Sequence, residues 1–126
     1  MINRPLVLMS KPPSEVIVTG KAMRVDGRST PSHFTHTIQI VASKFVGRVA
    51  IEASLMPSPT EADWFPIDLG KTLYLDFEEP TSKCLGFTIQ GRFVWVRAKI
   101  DRSKHVPIGT QEVAPNFGNI DRILFK

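Results

Sequence analysis

The sequence has little cysteine and no long apolar run, and each shortage excludes a class of protein. Cys84 is the single cysteine, so the chain can form neither an internal disulfide nor a zinc site built from several cysteines. The apolar run near the start covers only residues 6–9, which is too short for a signal-peptide core or a membrane span. We therefore expect a chain made in the cytoplasm without Sec export and with no membrane partner. Because Cys84 stands among apolar residues, we expect its thiol to be buried and inert.

Motifs for catalysis and for phosphate binding are also missing. The three histidines, His33, His36 and His105, do not stand in a pattern that also supplies a nucleophile and an orienting acid. The spacing of His33 and His36 suits metal binding on a helix, but a strand is predicted there, which sends them to opposite faces. No glycines have the spacing of a phosphate loop. We therefore expect no enzyme activity, no metal and no cofactor.

Positive charge is present but is not concentrated in one place. Lysine and arginine number 16 against 12 acids, which gives a net charge of +4. No two basic residues are adjacent, and no pattern of a common nucleic-acid-binding module occurs. Nucleic acid is therefore not an expected partner.

The sequence does contain apolar residues at every second position, between frequent glycines and prolines. The 8 glycines and 10 prolines leave few stretches long enough for a helix. Alternation is clear in residues 34–42, 49–55, 73–77 and 94–100, and weaker in 6–10, 15–19, 85–90 and 120–125. Turn signals lie at Gly27, Val46-Gly47, Gly70 and Gly91. The pattern predicts an all-β fold, a single antiparallel β-sandwich, jelly-roll-like, of about eight short strands.

The chain is predicted to form one domain over residues 1–126. Its length suits one core, and it contains no linker, internal repeat or low-complexity segment. The proline-containing segment 1–15 has two interpretations. It is either an extended N-terminal arm that adds a strand to a neighbour, or an edge strand of the same domain.

The predicted strand 91–101 carries large aromatic residues on its second face. Phe93 and Trp95 stand beside each other there, before the face turns polar at Arg97 and Lys99. Two aromatic side chains are unusual on an outer sheet face, so something should cover them. Either a loop of the same chain or a face of a neighbouring subunit can do so.

The segment 54–69, SLMPSPTEADWFPIDL, is the strongest candidate for a ligand site. Glu61, Asp63 and Asp68 could supply oxygen ligands to Ca²⁺, although their spacing matches no EF-hand loop, and Trp64 could stack on a sugar ring. The alternative is structural. Thr60 followed three positions later by Asp63 matches a helix N-cap with a capping box, which would close one short turn. We favour the capped turn over the ligand site.

Three stretches together resemble a known class of protein. They are FVGRVAIEASLMPSPTEADWFPIDL at 45–69, GRFVWVRAKID at 91–101 and GNIDRILFK at 118–126. In this order and spacing they resemble small virion structural proteins of tailed bacteriophages, from about residue 34 to the end of the chain. The resemblance implies a β-sandwich that assembles with other virion proteins and with copies of itself, in the tail, baseplate or fibre or as a capsid decoration.

The function expected from the sequence is therefore non-enzymatic and structural, with the virion as its location. Phe93 and Trp95 would belong to a subunit interface if a neighbour covers them. The alternative is a carbohydrate-binding module that reads a host-surface glycan through Trp64, with Asp63 or Glu61 beside it.

Overall fold

The computed structural model describes residues 4–26 and 34–126, and both segments contain strands. The strands are β1 Leu6–Ser10, β2 Ile17–Thr19, β3 Met23–Arg24, β4 Thr35–Ser54, β5 Phe65–Pro66, β6 Leu75–Gln90, β7 Trp95–Asp101 and β8 Asn119–Phe125. Two single-turn 3₁₀ helices, Glu61–Asp63 and Pro115–Phe117, complete the elements of these segments. No helix in the described segments could cross a membrane, since none has the necessary length and apolar character. His33 and the predicted turn at Gly27 lie outside the described residues.

All eight strands belong to one antiparallel sheet. The main order is β1-β8-β4-β7-β2, with β3 also paired to β7 and with β5 and β6 paired to β4. The prediction of an all-β antiparallel fold is therefore confirmed. The two-sheet, jelly-roll-like sandwich is not confirmed, because the strands form one sheet that curls into a half-barrel.

The central strand β4 replaces two predicted strands. The sequence predicts a turn at Val46-Gly47, and this prediction is wrong: β4 runs through 20 residues without reversing. The register with β6 shifts on both sides of Phe45, and Gly47 has a φ of 145°. A Cβ on Gly47 would lie 2.6 Å from Cγ of Arg102, so a bulge with a close side-chain approach requires glycine here. Glycine thus bends the strand instead of ending it.

The bend brings the two ends of β4 near each other. The N–H of Gly91 donates to the carbonyl of Phe34 at 2.8 Å, and the N–H of Val94 donates to the carbonyl of Ser54 at 3.0 Å. Gly91 and Val94 can be at most about 10 Å apart, whereas a straight strand of this length would span roughly 65 Å. The short connection 91–94 therefore closes the curl.

One face of the curled sheet holds a single hydrophobic core. Its most buried members include Leu8, Val25, Ile38, Ile40, Phe45, Ile51, Val96, Ala98, Ile100, Ile120, Ile123 and Phe125. Because side chains alternate along a strand, the neighbours of these residues point to the outer face. There Glu52 of β4 and Arg97 of β7 stand directly opposite each other.

The N-terminal strand β1 pairs with β8 of the same chain. Its register joins Leu6 to Phe125 and Ser10 to Arg122. Residues 6–10 thus form an edge strand of this sheet. Whether part of segment 1–15 also reaches a neighbour stays a prediction.

Candidate functional site

The loop between β4 and β5 folds around a capped turn. Thr60 is the N-cap of the 3₁₀ helix Glu61–Asp63. The carboxylate of Asp63 accepts hydrogen bonds from the backbone N–H of Thr60 at 2.7 Å and from the Thr60 hydroxyl at 3.0 Å. The predicted N-cap with an acid at the third helical position is therefore confirmed, and the Asp63 carboxylate is used inside the turn.

The turn places Glu61 and Trp64 on the outer face of the sheet, around Arg97. The guanidinium of Arg97 donates to both carboxylate oxygens of Glu61, at 3.1 and 3.0 Å, and to Glu52 at 2.8 Å. Its Cζ lies 4.1 Å from the centre of the Trp64 ring. No pattern in the sequence predicts Arg97 as the partner of this loop. The sequence shows only that Arg97 is a basic residue on the polar part of a predicted strand. Its partner Glu52 becomes identifiable only when the strand register is known.

The electrostatics of this cluster are those of a satisfied ion pair. Hydrogen bonds to Glu61, and then to Glu52, raise the pKa of the Arg97 guanidinium even though burial opposes this. The hydrogen bonds from Arg97 to Glu61 hold the pKa of the Glu61 carboxyl below its usual value. Because two carboxylates neutralise one guanidinium, Arg97 has little attraction left for an anionic ligand.

The two aromatic residues of the predicted strand 91–101 have different surroundings. The indole N–H of Trp95 donates to the carbonyl of Pro57 at 3.0 Å, so the loop after β4 contacts this ring. Phe93 precedes β7 and packs against the core, 6.3 Å from the ring centre of Phe65 and 5.9 Å from that of His36. Both rings are half-buried. That either ring also meets a subunit stays a prediction.

The titratable residues considered for chemistry are dispersed. His36 is buried, with Nε2 3.1 Å from the carbonyl oxygen of Gly91, and it stacks on Phe125. Nε2 of His105 lies 2.9 Å from an oxygen of Asp76. Within residues 4–26 and 34–126, no group of three or more histidine, cysteine, aspartate or glutamate side chains is placed to hold a metal ion.

Cys84 departs from its expected burial. It is exposed, and its sulfur accepts a hydrogen bond from the side-chain amide of Gln39 at 3.1 Å. The apolar neighbours Leu85 and Phe87 lie at odd positions of β6, which alternate with Cys84: Phe87 packs against the core, and Leu85 pairs with the buried Ile40 on the same face. The expectation failed because adjacent residues of a strand face opposite ways.

The strand that carries Cys84 has an open edge. β6 is 16 residues long and pairs with β4 on one side, and no other described strand pairs with it. The hydrogen bond from Gly91 to Phe34 shows which residues of β6 direct their backbone N–H and C=O groups toward β4. Counting back in steps of two from Gly91, these are Ile89, Phe87 and Leu85. The backbone groups of the residues between them point to the open edge, namely those of Cys84, Gly86, Thr88 and Gln90.

A groove runs beside the end of this edge. It has a volume of about 430 Å³, and its walls are the segment 65–68 with Gly70 on one side and residues 88–90 on the other. Phe93 forms part of the lining, and Phe65 remains 39% exposed. Asp68, predicted as a third oxygen ligand beside Glu61 and Asp63, instead lies in this groove wall. The open edge therefore faces free space that a further strand could enter.

Comparison of the chain with models of protein families, with curated proteins and with solved structures finds no match. The resemblance to phage virion proteins therefore depends on the three sequence stretches quoted above.

Proposed function

We propose that the protein is a non-enzymatic structural subunit of a tailed-phage virion, which assembles through protein–protein contacts in the tail, baseplate or fibre or as a capsid decoration. Its partners are other virion proteins and copies of itself. The observation that supports assembly most directly is the open edge of β6. The virion location is supported by the resemblance in sequence.

An open sheet edge is a template for pairing with another chain, because its backbone N–H and C=O groups have no partner in the sheet. Proteins that must stay single protect such edges with short strands, charges or proline. The other outer strands here are short, with β1 at 5 residues, β2 at 3 and β3 at 2. β6 is long, so it is the edge on which assembly would act.

The two ends of β6 differ in their protection. Its beginning carries Asp76, Glu78, Glu79 and Pro80. The segment 84–90, CLGFTIQ, carries neither charge nor proline. We therefore assign the contact to this second half. In the assembled state a neighbour's strand would extend the half-barrel there, and the predicted two-sheet sandwich would be completed between subunits.

The carbohydrate-binding alternative has less support. One face of the Trp64 ring lies against Arg97, both Glu61 oxygens bond to the same guanidinium, and the Asp63 carboxylate caps the turn. The polar groups that would hold a sugar are thus engaged within the chain.

The test of the virion location is whether the chain is part of particles. An antibody against the purified chain should label phage particles from the source culture and should follow them through a density gradient. The chain should stay with the particles after washing in high salt, since strand pairing is not mainly ionic. Detection only in the free protein fraction at the top of the gradient would contradict the proposal.

A further inference from the structure

Along the open edge of β6, the large apolar residues of segment 84–90 are placed symmetrically about Phe87. Among residues 84–90, the odd positions 85, 87 and 89 are Leu, Phe and Ile. Ile89 belongs to the core and Phe87 packs against it, and Leu85 shares their face because it pairs with the buried Ile40. Leu85 and Phe87 are half-buried, whereas Ile89 is only 8% exposed. The inner edge of β6 therefore presents apolar side chains that the rest of the chain covers in part.

We propose that a second copy of this chain pairs antiparallel along this edge, with a two-fold axis at Phe87. This inference rests on the proposed function and names the partner at the same edge. In this register Cys84 lies opposite Gln90 of the second copy, and Gly86 lies opposite Thr88. These four residues are the ones whose backbone groups point outward, so each opposed pair forms two hydrogen bonds.

The side chains support the same register. Between the hydrogen-bonded pairs, Phe87 meets Phe87 of the second copy, and Leu85 meets Ile89. Such non-hydrogen-bonded pairs have close Cβ atoms, and aromatic and aliphatic contacts across them stabilise a sheet. The pairing would therefore bury the half-exposed Leu85 and Phe87 with apolar partners.

The charged residues of β6 lie outside the paired segment. The register places Lys83 of the second copy opposite Gly91, beside the exposed Arg92 and just beyond the groove residues 88–90. The acidic beginning of β6, with Glu78 and Glu79, then lies beyond the paired segment. Pro80, which has no N–H to donate, marks the limit of pairing. A two-fold pairing thus joins two uncharged segments, residues 84–90 of each copy, and leaves the glutamates in water.

The first experiment measures the oligomeric state of the full chain by sedimentation velocity. The wild type should sediment as a dimer, and Thr88→Pro should shift it to the monomer. Proline at 88 removes an N–H that points to the open edge and leaves the ladder with β4 intact. Thr88→Val keeps that N–H and is the matched control, which should remain a dimer. A monomeric wild type overturns the inference.

The second experiment tests the register by oxidation. Opposed residues of a hydrogen-bonded pair have Cα atoms about 5.5 Å apart, which is within disulfide range. With an added thiol oxidant such as copper–phenanthroline to accept the two electrons, the thiol of Gln90→Cys should therefore form a disulfide with the native Cys84 of the second copy and give a covalent dimer. The double variant Cys84→Ser/Gln90→Cys and the oxidised wild type should both stay non-covalent. A cross-link in either of these chains indicates another register and overturns the proposal.

The two proposals can fail separately. A wild-type monomer found on washed particles would refute the self-pairing and support the virion location. A dimer with the expected cross-link that never enters particles would do the reverse. Far-UV circular dichroism of Thr88→Pro should match the wild type, and the cross-linking arm decides the outcome if it does not.

Discussion

Two arginines associated with β7 are both almost completely buried, and they are stabilised in opposite ways. Arg97 lies on the outer face under a loop, where two carboxylates and an indole ring surround it. Arg102 follows the end of β7 and has no exposed surface. It donates to the backbone carbonyls of Val46, Glu15 and Gly118, at 3.0 to 3.1 Å. No carboxylate within the described residues comes into ion-pair distance of Arg102.

The two arginines therefore differ in structural role: Arg97 binds a solvent-exposed loop, whereas Arg102 links three backbone segments. Glu61 can return to water with little penalty if Arg97 is lost, because its side chain is 85% exposed. The three carbonyls around Arg102 belong to the β4 bulge, the segment before β2 and the turn before β8. They are main-chain groups that cannot move away without moving those segments. Burial accordingly lowers the pKa of Arg102, while hydrogen-bonded carboxylates raise that of Arg97.

The largest effect is expected from Arg102→Leu. The substitution removes the donor of one buried and two partly buried hydrogen bonds to backbone carbonyls, so we expect a loss of about 3–5 kcal/mol in the free energy of unfolding. Urea denaturation followed by tryptophan fluorescence measures it. Arg102→Lys keeps the charge but cannot reach three carbonyls with a planar fork, so it should fall between the wild type and Arg102→Leu. A loss below about 1 kcal/mol in the free energy of unfolding for Arg102→Leu would contradict the role of Arg102 in linking three backbone segments.

A smaller effect is expected from Arg97→Met. The substitution leaves Glu52 unpaired on a partly covered face, while Glu61 gains water, so we expect a loss of about 1–2 kcal/mol. Removing the guanidinium from the Trp64 ring should also change the tryptophan emission. The double variant Arg97→Met/Glu52→Gln should recover part of the stability, because it removes the unpaired charge. If Arg97→Met lowers the free energy of unfolding as much as Arg102→Leu does, then Arg97 stabilises the fold as strongly as Arg102.

Local patterns in the sequence predicted local structure well. The alternation in residues 34–42, 49–55 and 94–100 identified strand segments correctly, since a period of two needs only a few neighbouring residues. The capped turn at Thr60 was also predictable, because donor and acceptor are three residues apart. The continuity of β4 was not, since a glycine suits a bulge as well as a turn.

The contacts that define the candidate site could not be predicted from local sequence patterns, because they join residues far apart in the chain. Arg97 meets partners 36 and 45 positions away in the sequence, and Arg102 meets one that is 87 positions away. Such pairs depend on strand register, which a single sequence does not specify. The open edge of β6 could not be predicted from the sequence for the same reason. Which strand lies at the edge of a sheet depends on the order of all the strands in it.

The smallest effect is expected from Glu61→Gln, and it should depend on pH. Hydrogen bonds from Arg97 lower the pKa of Glu61 from its ordinary value of 4.5, so the unfolded chain takes up this proton more readily than the folded one. The stabilisation is therefore complete above pH 4.5 and is lost as the pH falls through the folded-state pKa. The difference between wild type and Glu61→Gln in urea denaturation should be present at neutral pH and should close in acid.

Two controls connect this result to the comparison of the arginines. Glu78→Gln makes the same change at an exposed carboxylate of β6, outside the Arg97 cluster, and serves as the control for the substitution itself. Arg102→Lys should differ from the wild type by the same amount across the whole range, because no carboxylate of residues 4–26 and 34–126 forms an ion pair with that guanidinium. A pH-dependent difference at Arg102 would indicate an acid that titrates against it, and Arg102 would then be an ion pair like Arg97.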